Sequence, residues 1–405
     1  MEIKKQKLGS EINLNRKIKV AHIITRIITG GAEENTLFTI KGLDKKKYDI
    51  DLIVGEEFRE DIYNNFENND FHIIRLKELK GKLNFLYDPI VLIKLINLFK
   101  KNHYDIVHTH LTKIGILGKI ASRISGVPII IHGLHGSAFQ AFNSKLLNWA
   151  LISFERITSK YTDAYISVSR ILSEKYIKEG IGKIENHFTV YSGMNLDKFY
   201  YSRKKINRRK KLTDLGISSD CFIIGNVATL EPRKGHKFLI NAFKEVIEKH
   251  KNKSIKLIIV SDGYEKENLV KYVDKLNLTE KVIFTGYRED IEELMAIMDV
   301  FVLTSLREGL PRVLVQAAAV GIPLIAFSVD GVPEIIKDGY NGFLVKPKDV
   351  EELTDRIMKY INNKELISLH GQRGRDFVKG KWSIEDMVNK IDEIYQELIK
   401  EKIKM

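Results

Sequence analysis

The 405-residue chain has a single cysteine, Cys221. That excludes an intramolecular disulfide framework and suits a reducing compartment. Cys221 stands just before an apolar run and reads as a buried structural thiol. Long apolar stretches are missing too: none approaches the ~18–20 residues that a membrane span needs. The N-terminal stretch MEIKKQKLGSEINLNRKIKV lacks the uninterrupted apolar segment of a signal peptide, so a cytoplasmic protein is expected. Acid is in short supply, with 53 Asp and Glu against 66 Lys and Arg, a formal charge of +13. Such a balance suits an anionic partner such as nucleic acid, an acidic membrane face or a phosphorylated substrate, or it reflects a Lys-, Ile- and Asn-rich composition alone. The basic run of residues 203–211 has no interleaved aromatics and no recognition module beside it, which argues against nucleic acid.

What the chain does have is the composition of a soluble globular protein, 44% apolar and 29% charged, at a length that calls for two cores. Strand and helix signals alternate. KIKVAHII (17–24), YDIDLIV (48–54), FHIIRL (71–76), YDIVHTH (104–110), VPIIIHGLHG (127–136), AYISVS (164–169) and HFTVYSGM (187–194) read as strands, with helices predicted over 85–101, 115–126 and 144–162. The basic stretch 201–216 has no apolar face until Leu212 and reads as a linker or solvated helix. A second series follows: strands at 222–230, 255–263, 282–286, 299–305, 323–328 and 342–346, helices at 236–250 and 311–320, and helix from 349 to 404. Alternation of this kind implies βαβ units and parallel sheets. Two doubly wound domains divided near residue 200 would face each other across a cleft, with ligands at the C-terminal ends of the strands.

Several strand exits carry residues suited to binding an anion or a sugar. ITGGAEEN (28–35) puts Gly30 and Gly31 at a strand-to-helix junction, where bare backbone can approach a phosphate. LHGSAF (134–139) ends a strand on His135, placed to donate to a sugar hydroxyl or steady developing charge. LEPRKGHK (230–237) sets Arg233 and Lys234 before Gly235 and a helix, the right chemistry for a diphosphate. The loops VSDGYEKENL (260–269) and FTGYRED (284–290), with Gly263 and Arg288, read either as contacts to a nucleotide base or as ordinary βα loops. His108, His110 and His132 invite a metal reading. No cysteine or suitably spaced carboxylate joins them, so no metal is expected, and His108 and His110 read as polar strand ends.

The segment SLREGLPRVLVQAAAVGIPLIAFSVDGVPEIIKDGYNGFLV (305–345) resembles the signature region of glycosyltransferase family 4: Glu, seven residues, Glu, then Ala-x-Ala-x-Gly-x-Pro. The segments TRIITGGAEEN, YDIVHTHLTKIGILGKIASRISGVPIIIHGLHG and EPRKG fall where family segments would, so the likeness runs through nearly the whole chain from residue 17. It implies an α/β GT-B fold of two facing Rossmann-like domains: an extension over 1–16, an acceptor domain over 17–200, a donor domain over 201–375 and a C-terminal helix over 376–405 returning to the N-terminal domain. The implied activity is retaining transfer from a UDP- or GDP-sugar to a glycan or polyprenyl-diphosphate-linked acceptor in surface polysaccharide synthesis. No cofactor is implied. Peripheral contact with an anionic membrane is, and the apolar helix near 85–98 reads as a core helix or as the docking element. By the same resemblance Glu308 contacts donor-sugar hydroxyls, and the amides of Gly309 and Leu310 approach the sugar or phosphates. Lys234, with Arg233, holds the diphosphate, His135 lies near the transferred sugar and Gly31 lies against the diphosphate. Two positions depart from the pattern. Thr229 stands where an arginine is usual, and Gln316 replaces the second glutamate, which meets the ribose. The spacing puts Glu308 and Gln316 two turns apart on one ligand-facing stripe. A nucleotide-sugar epimerase or hydrolase on the same architecture, or a non-catalytic nucleotide-sugar-binding subunit, are the alternatives.

Overall fold

The computed structural model describes residues 16–28, 30–60, 71–81, 84, 86–137, 139, 144–250 and 254–403; nearly all of the expected extension over 1–16 lies outside them. The N-terminal sheet is all parallel, in the order β3-β2-β1-β4-β5-β6-β7. Its strands are β1 (Ile18–Ile24), β2 (Tyr48–Val54), β3 (His72–Arg75), β4 (Ile106–His110), β5 (Ile129–Leu134), β6 (Ala164–Ser167) and β7 (His187–Thr189). The C-terminal sheet is parallel in the order β10-β9-β8-β11-β12-β13. It comprises β8 (Phe222–Val227), β9 (Ile255–Val260), β10 (Val282–Gly286), β11 (Val300–Leu303), β12 (Leu324–Phe327) and β13 (Gly342–Val345). Runs such as IKVAHII and IKLIIV are mostly apolar, broken by Lys19, His22 and Lys256, because helices cover both faces of each sheet. Strand order reverses between β1 and β4 in one sheet and between β8 and β11 in the other, the two places where a doubly wound sheet opens a crevice.

The N-terminal sheet carries α1 (Gly31–Gly42), α2 (Tyr87–Asn102), α3 (Thr112–Ser125), α4 (Lys145–Ser159) and α5 (Arg170–Lys178). Ser144 and Ser169 start α4 and α5 by accepting the Leu147 and Leu172 amides. The stretch 201–216 is no linker. It forms most of α6 (Asp197–Lys205) and all of α7 (Arg208–Asp214), with Leu212 in the core. Two of its cations are matched at long range: Arg208 to Asp299 at 3.0 Å, and Lys211 to Asp290 and Glu293 at 2.5 Å each. The C-terminal sheet is flanked by α8 (His236–Lys249), α9 (Lys266–Lys275), α10 (Ile291–Ala296), α11 (Arg312–Val320), α12 (Val350–Asn362) and α13 (Lys364–Val378). The last helix, α14 (Ile384–Lys402), buries Met387, Ile391, Tyr395 and Leu398 in the cluster built on β1 and β2. Another apolar cluster crosses between the domains, from Leu134, Leu172 and Tyr176 to Leu310, Val332 and Ile335. Cys221 is buried within it.

Candidate active site

The site begins at the exits of β8 and β11. After β8 the chain makes a tight turn, Pro232–Lys234, ended by Gly235 at φ +66°. A Cβ on Gly235 would lie 2.2 Å from the Thr304 carbonyl oxygen, so glycine lets the turn sit flush against the end of β11. The Leu306 amide donates to the Arg233 carbonyl at 2.8 Å and the Thr304 hydroxyl to the Lys234 carbonyl at 3.2 Å. Held this way, Lys234 donates from Nζ to Oε1 of Glu308 at 2.6 Å, with the two side chains only 12% and 9% exposed.

Glu308 lies in the loop before α11, and that loop is pinned to the opposite domain. Its amide donates to Oδ2 of Asp330 at 2.6 Å, while Oδ1 of Asp330 pairs with Lys175 of α5. Asp330 has φ +43°, a left-handed backbone that aspartate tolerates better than most residues. A Cβ on Gly309 would lie 2.1 Å from the His135 carbonyl oxygen, and one on Gly331 would lie 2.2 Å from the Gly309 carbonyl. The two glycines thus let backbone from both domains touch beside Glu308. Glu334 reinforces this contact by accepting the Arg170 and Ile171 amides at the start of α5, at 3.1 and 2.9 Å, and the Tyr191 hydroxyl at 2.8 Å. A carboxylate there also complements the helix dipole.

On the N-terminal side, Gly31 opens α1 directly opposite Arg312: a Cβ on Gly31 would lie 3.0 Å from Arg312 Cδ. Arg312 bridges the domains, donating to Glu34 at 2.7 Å and to the Gly193 carbonyl at 3.3 Å. His135 follows β5. Burial lowers its pKa to about 4, which favours an uncharged ring in the ligand-free chain. His108 and His110 are not polar strand ends: both are buried on the core face of β4 beside His22. Nitrogens of His22, His108 and His110 lie within 4.8 Å of one another, a spacing that could hold a metal ion. His132, grouped with them on sequence spacing, instead bonds the Thr109 hydroxyl at 2.8 Å.

Residues 207–377 match the family described as Glycosyl transferases group 1, and residues 29–198 match Glycosyltransferase Family 4. EpsD of Bacillus subtilis is 31% identical over 283 residues, covering 67% of this chain and 71% of its own length. The chain belongs to glycosyltransferase family 4. The Escherichia coli protein named UDP-Gal:alpha-D-GlcNAc-diphosphoundecaprenol alpha-1,3-galactosyltransferase is 28% identical to this transferase over 387 residues, 95% of this chain and 98% of its own. HepE of Anabaena, solved with UDP and glucose, matches its fold with a TM-score of 0.79 at 21% identity, covering 94% of this chain and all of HepE. Sucrose-phosphate synthase of Thermosynechococcus elongatus gives 0.79 at 20% identity, over 95% and 100% of the two chains. The two parallel sheets with their flanking helices are the GT-B arrangement these proteins share.

Other expected residues of the transferase are engaged by neighbours other than Glu308. Arg233 turns to Glu231 at 2.6 Å, and Thr229 bonds the same carboxylate at 3.0 Å. Arg288 makes a two-pronged pair with Asp290 at 2.7 and 2.6 Å, and Lys211 holds Asp290 from the other side. Gly263 packs on the Leu230 backbone, where a Cβ would meet the Leu230 carbonyl at 2.4 Å. Leu310 is buried in the cluster between the domains. Glu308 and Gln316 do not share a helical stripe: α11 starts only at Arg312, so the half-buried Gln316 shares its face with Arg312, one turn away. Arg312, Asp330, Lys175, Glu334 and Glu34 were not singled out from the sequence. One signal was available, since Arg312 is the sole charge in an otherwise apolar helix.

Proposed function

We propose that this transferase moves a hexosyl group from a UDP-sugar to a polyprenyl-diphosphate-linked glycan, with retention at the anomeric carbon. The observation that carries the reading is the meeting of Glu308 and Lys234 with the His135 backbone at the strand ends of both domains. The E. coli relative is named for a UDP-Gal donor and a diphosphoundecaprenol-linked acceptor, and HepE was solved with UDP-glucose. In this reading Lys234 leaves Glu308 when donor enters and turns to the diphosphate, freeing the carboxylate to accept from sugar hydroxyls. The chain lacks an arginine at Thr229, and Arg233 is engaged by Glu231. Arg312, beside Gly31, is the cation better placed to stabilise the leaving diphosphate, together with Lys234 and the α1 amides. The donor phosphate takes the acceptor proton, and contacts such as Glu34–Arg312 and Lys175–Asp330 hold the cleft closed against water.

The same reading places the enzyme on an anionic membrane surface. No helix among the described residues is long and apolar enough to cross a bilayer. The N-terminal domain nevertheless exposes Leu86 and Ile93 at α2 and Leu146, Trp149 and Ile157 on α4, near exposed Lys145, Arg156 and Lys160. Apolar and basic side chains together suit an interfacial contact. The deciding experiment incubates the enzyme with labelled UDP-galactose, UDP-glucose or UDP-N-acetylglucosamine, with and without a GlcNAc-diphosphoundecaprenol acceptor. Acceptor-dependent product with an α linkage is expected. Epimer formed from donor alone, or donor binding without turnover, would overturn the proposal.

A further inference from the structure

A line of buried hydrogen-bonding groups runs from His135 into the N-terminal core, and the transfer chemistry above makes no use of it. His22 on β1 pairs in register with His108 on β4, and His110 shares their face two residues on. Nε2 of His135 lies 2.9 Å from Nδ1 of His110, and Nε2 of His110 lies 3.0 Å from Nδ1 of His22. Nε2 of His22 lies 3.3 Å from the hydroxyl of Tyr395 on α14, and that hydroxyl lies 2.7 Å from Nδ1 of His108. The nitrogens are therefore largely engaged with one another. A metal on His22, His108 and His110 would have to displace hydrogen bonds that these nitrogens already make.

A neutral imidazole has one donor and one acceptor nitrogen, so a line of them must point one way along its length. Burial holds His22 near a pKa of about 3 and His135 near about 4, and lowers His108 and His110 as well, so the rings stay neutral at working pH. The Tyr395 hydroxyl has one proton to give. An O–H donor sits closer to its acceptor than an N–H donor does, so the 2.7 Å contact marks donation to His108 and the 3.3 Å contact donation from His22. The rest follows: His22 donates through Nε2, hence accepts at Nδ1 from His110, which accepts at its own Nδ1 from Nε2 of His135. At the other end His108 is left with a donor at Nε2. That atom is buried without a partner among the described residues, as is Oδ1 of Asn35, and both residues line one water-sized cavity.

We propose that Tyr395 is a positioning residue for His135: through His22 and His110 it holds that ring in the Nε2–H tautomer, so His135 meets a sugar hydroxyl through an Nδ1 lone pair. This rests on the reading that His135 faces the donor sugar. The C-terminal helix is thereby coupled to the site by hydrogen bonds as well as by packing. Two-bond nitrogen–proton spectra of the full chain labelled with 15N-histidine, with His135 assigned through His135→Gln, report the tautomer directly. The wild type is expected to show the Nε2–H pattern at His135, His110 and His22, unchanged from pH 6 to 8. Tyr395→Phe is expected to mix the His135 tautomers, leave UDP affinity unchanged and weaken UDP-glucose or UDP-galactose binding about threefold to tenfold, the worth of one neutral hydrogen bond. An Nδ1–H pattern at His135 in the wild type overturns the proposal even if the variant fails to fold. So does a His135 tautomer indifferent to Tyr395→Phe, or stoichiometric zinc on the purified protein. If the spectra behave as expected and no UDP-sugar binds, the donor reading fails and the relay stands.

Discussion

Substitution can separate the ion pair that Glu308 makes from the donor-binding role proposed for it. Its carboxylate and the Lys234 ammonium are nearly buried and 2.6 Å apart. Removing one partner of a buried pair strands the other and costs about 3–5 kcal/mol. The lower end applies here, because Lys234 keeps some exposure at 12% and can turn toward the cleft. For domains of this size about 3 kcal/mol corresponds to a Tm fall of roughly 6–12 °C. Glu308→Leu and Lys234→Met should each show it. The double variant replaces the pair with apolar groups of similar size and should regain most of the loss. Catalysis should not follow stability. A charged group hydrogen-bonded to sugar hydroxyls contributes about 1.5–3 kcal/mol per bond, so losing Glu308 should lower kcat/KM by about 10- to 150-fold. The double variant should remain at least as impaired while its Tm recovers. Melting by scanning fluorimetry and kcat/KM with the UDP-sugar and lipid-linked acceptor make the comparison. An unchanged Tm in both single variants, or a Glu308→Leu enzyme within about threefold of wild-type kcat/KM, would refute the reasoning.

Arg312→Gln should lower kcat by roughly 100-fold or more if Arg312 stabilises the leaving diphosphate. Glu34→Gln breaks the same interdomain pair but keeps the cation, so it should lose far less activity than Arg312→Gln; equal losses in both would reduce Arg312 to a domain contact. Lys119 and Glu155 form a fully buried pair at 2.5 Å between α3 and α4. Lys119→Met alone should cost about 3–5 kcal/mol in urea unfolding, and Lys119→Met with Glu155→Leu should be neutral or stabilising. Acid should weaken the fold through its buried histidines. His22 is lowered to about 3, and His135 and His236 to about 4, each mainly by burial. Below about pH 6.5 the unfolded chain takes up protons that the folded chain refuses, so stability falls as pH drops from there toward 4, by about 1.4 kcal/mol per unit for each such histidine. A urea midpoint that is flat from pH 7.5 to 5 would contradict this.

The strands were legible because parallel strands covered on both faces are written as runs rich in apolar β-branched residues, and IKVAHII or IKLIIV needs no partner to be recognised. The basic stretch 201–216 was not. Its helices depend on Asp290, Glu293 and Asp299, about 80 or 90 positions further along, so its local composition looked solvated. α5 passed unnoticed for a related reason: its nine residues bury only Leu172, Ser173 and Tyr176, and its start is held by Glu334 of the other domain as well as by Ser169. The site divides along the same line. Glu308, Gly309 and Gln316 occupy one contiguous segment, and the tight turn carrying Lys234 has its own glycine, so local pattern was enough to single them out as candidates. Local pattern could also suggest that His108 and His110 share a face. It could not supply His22, across the sheet, or Tyr395, 287 positions from His108, and without those two the face looked like a choice between metal and solvent. Which nitrogen of His135 carries its proton is a property of that assembled line. A residue can thus be found by motif while its chemical state is set by residues that no motif contains.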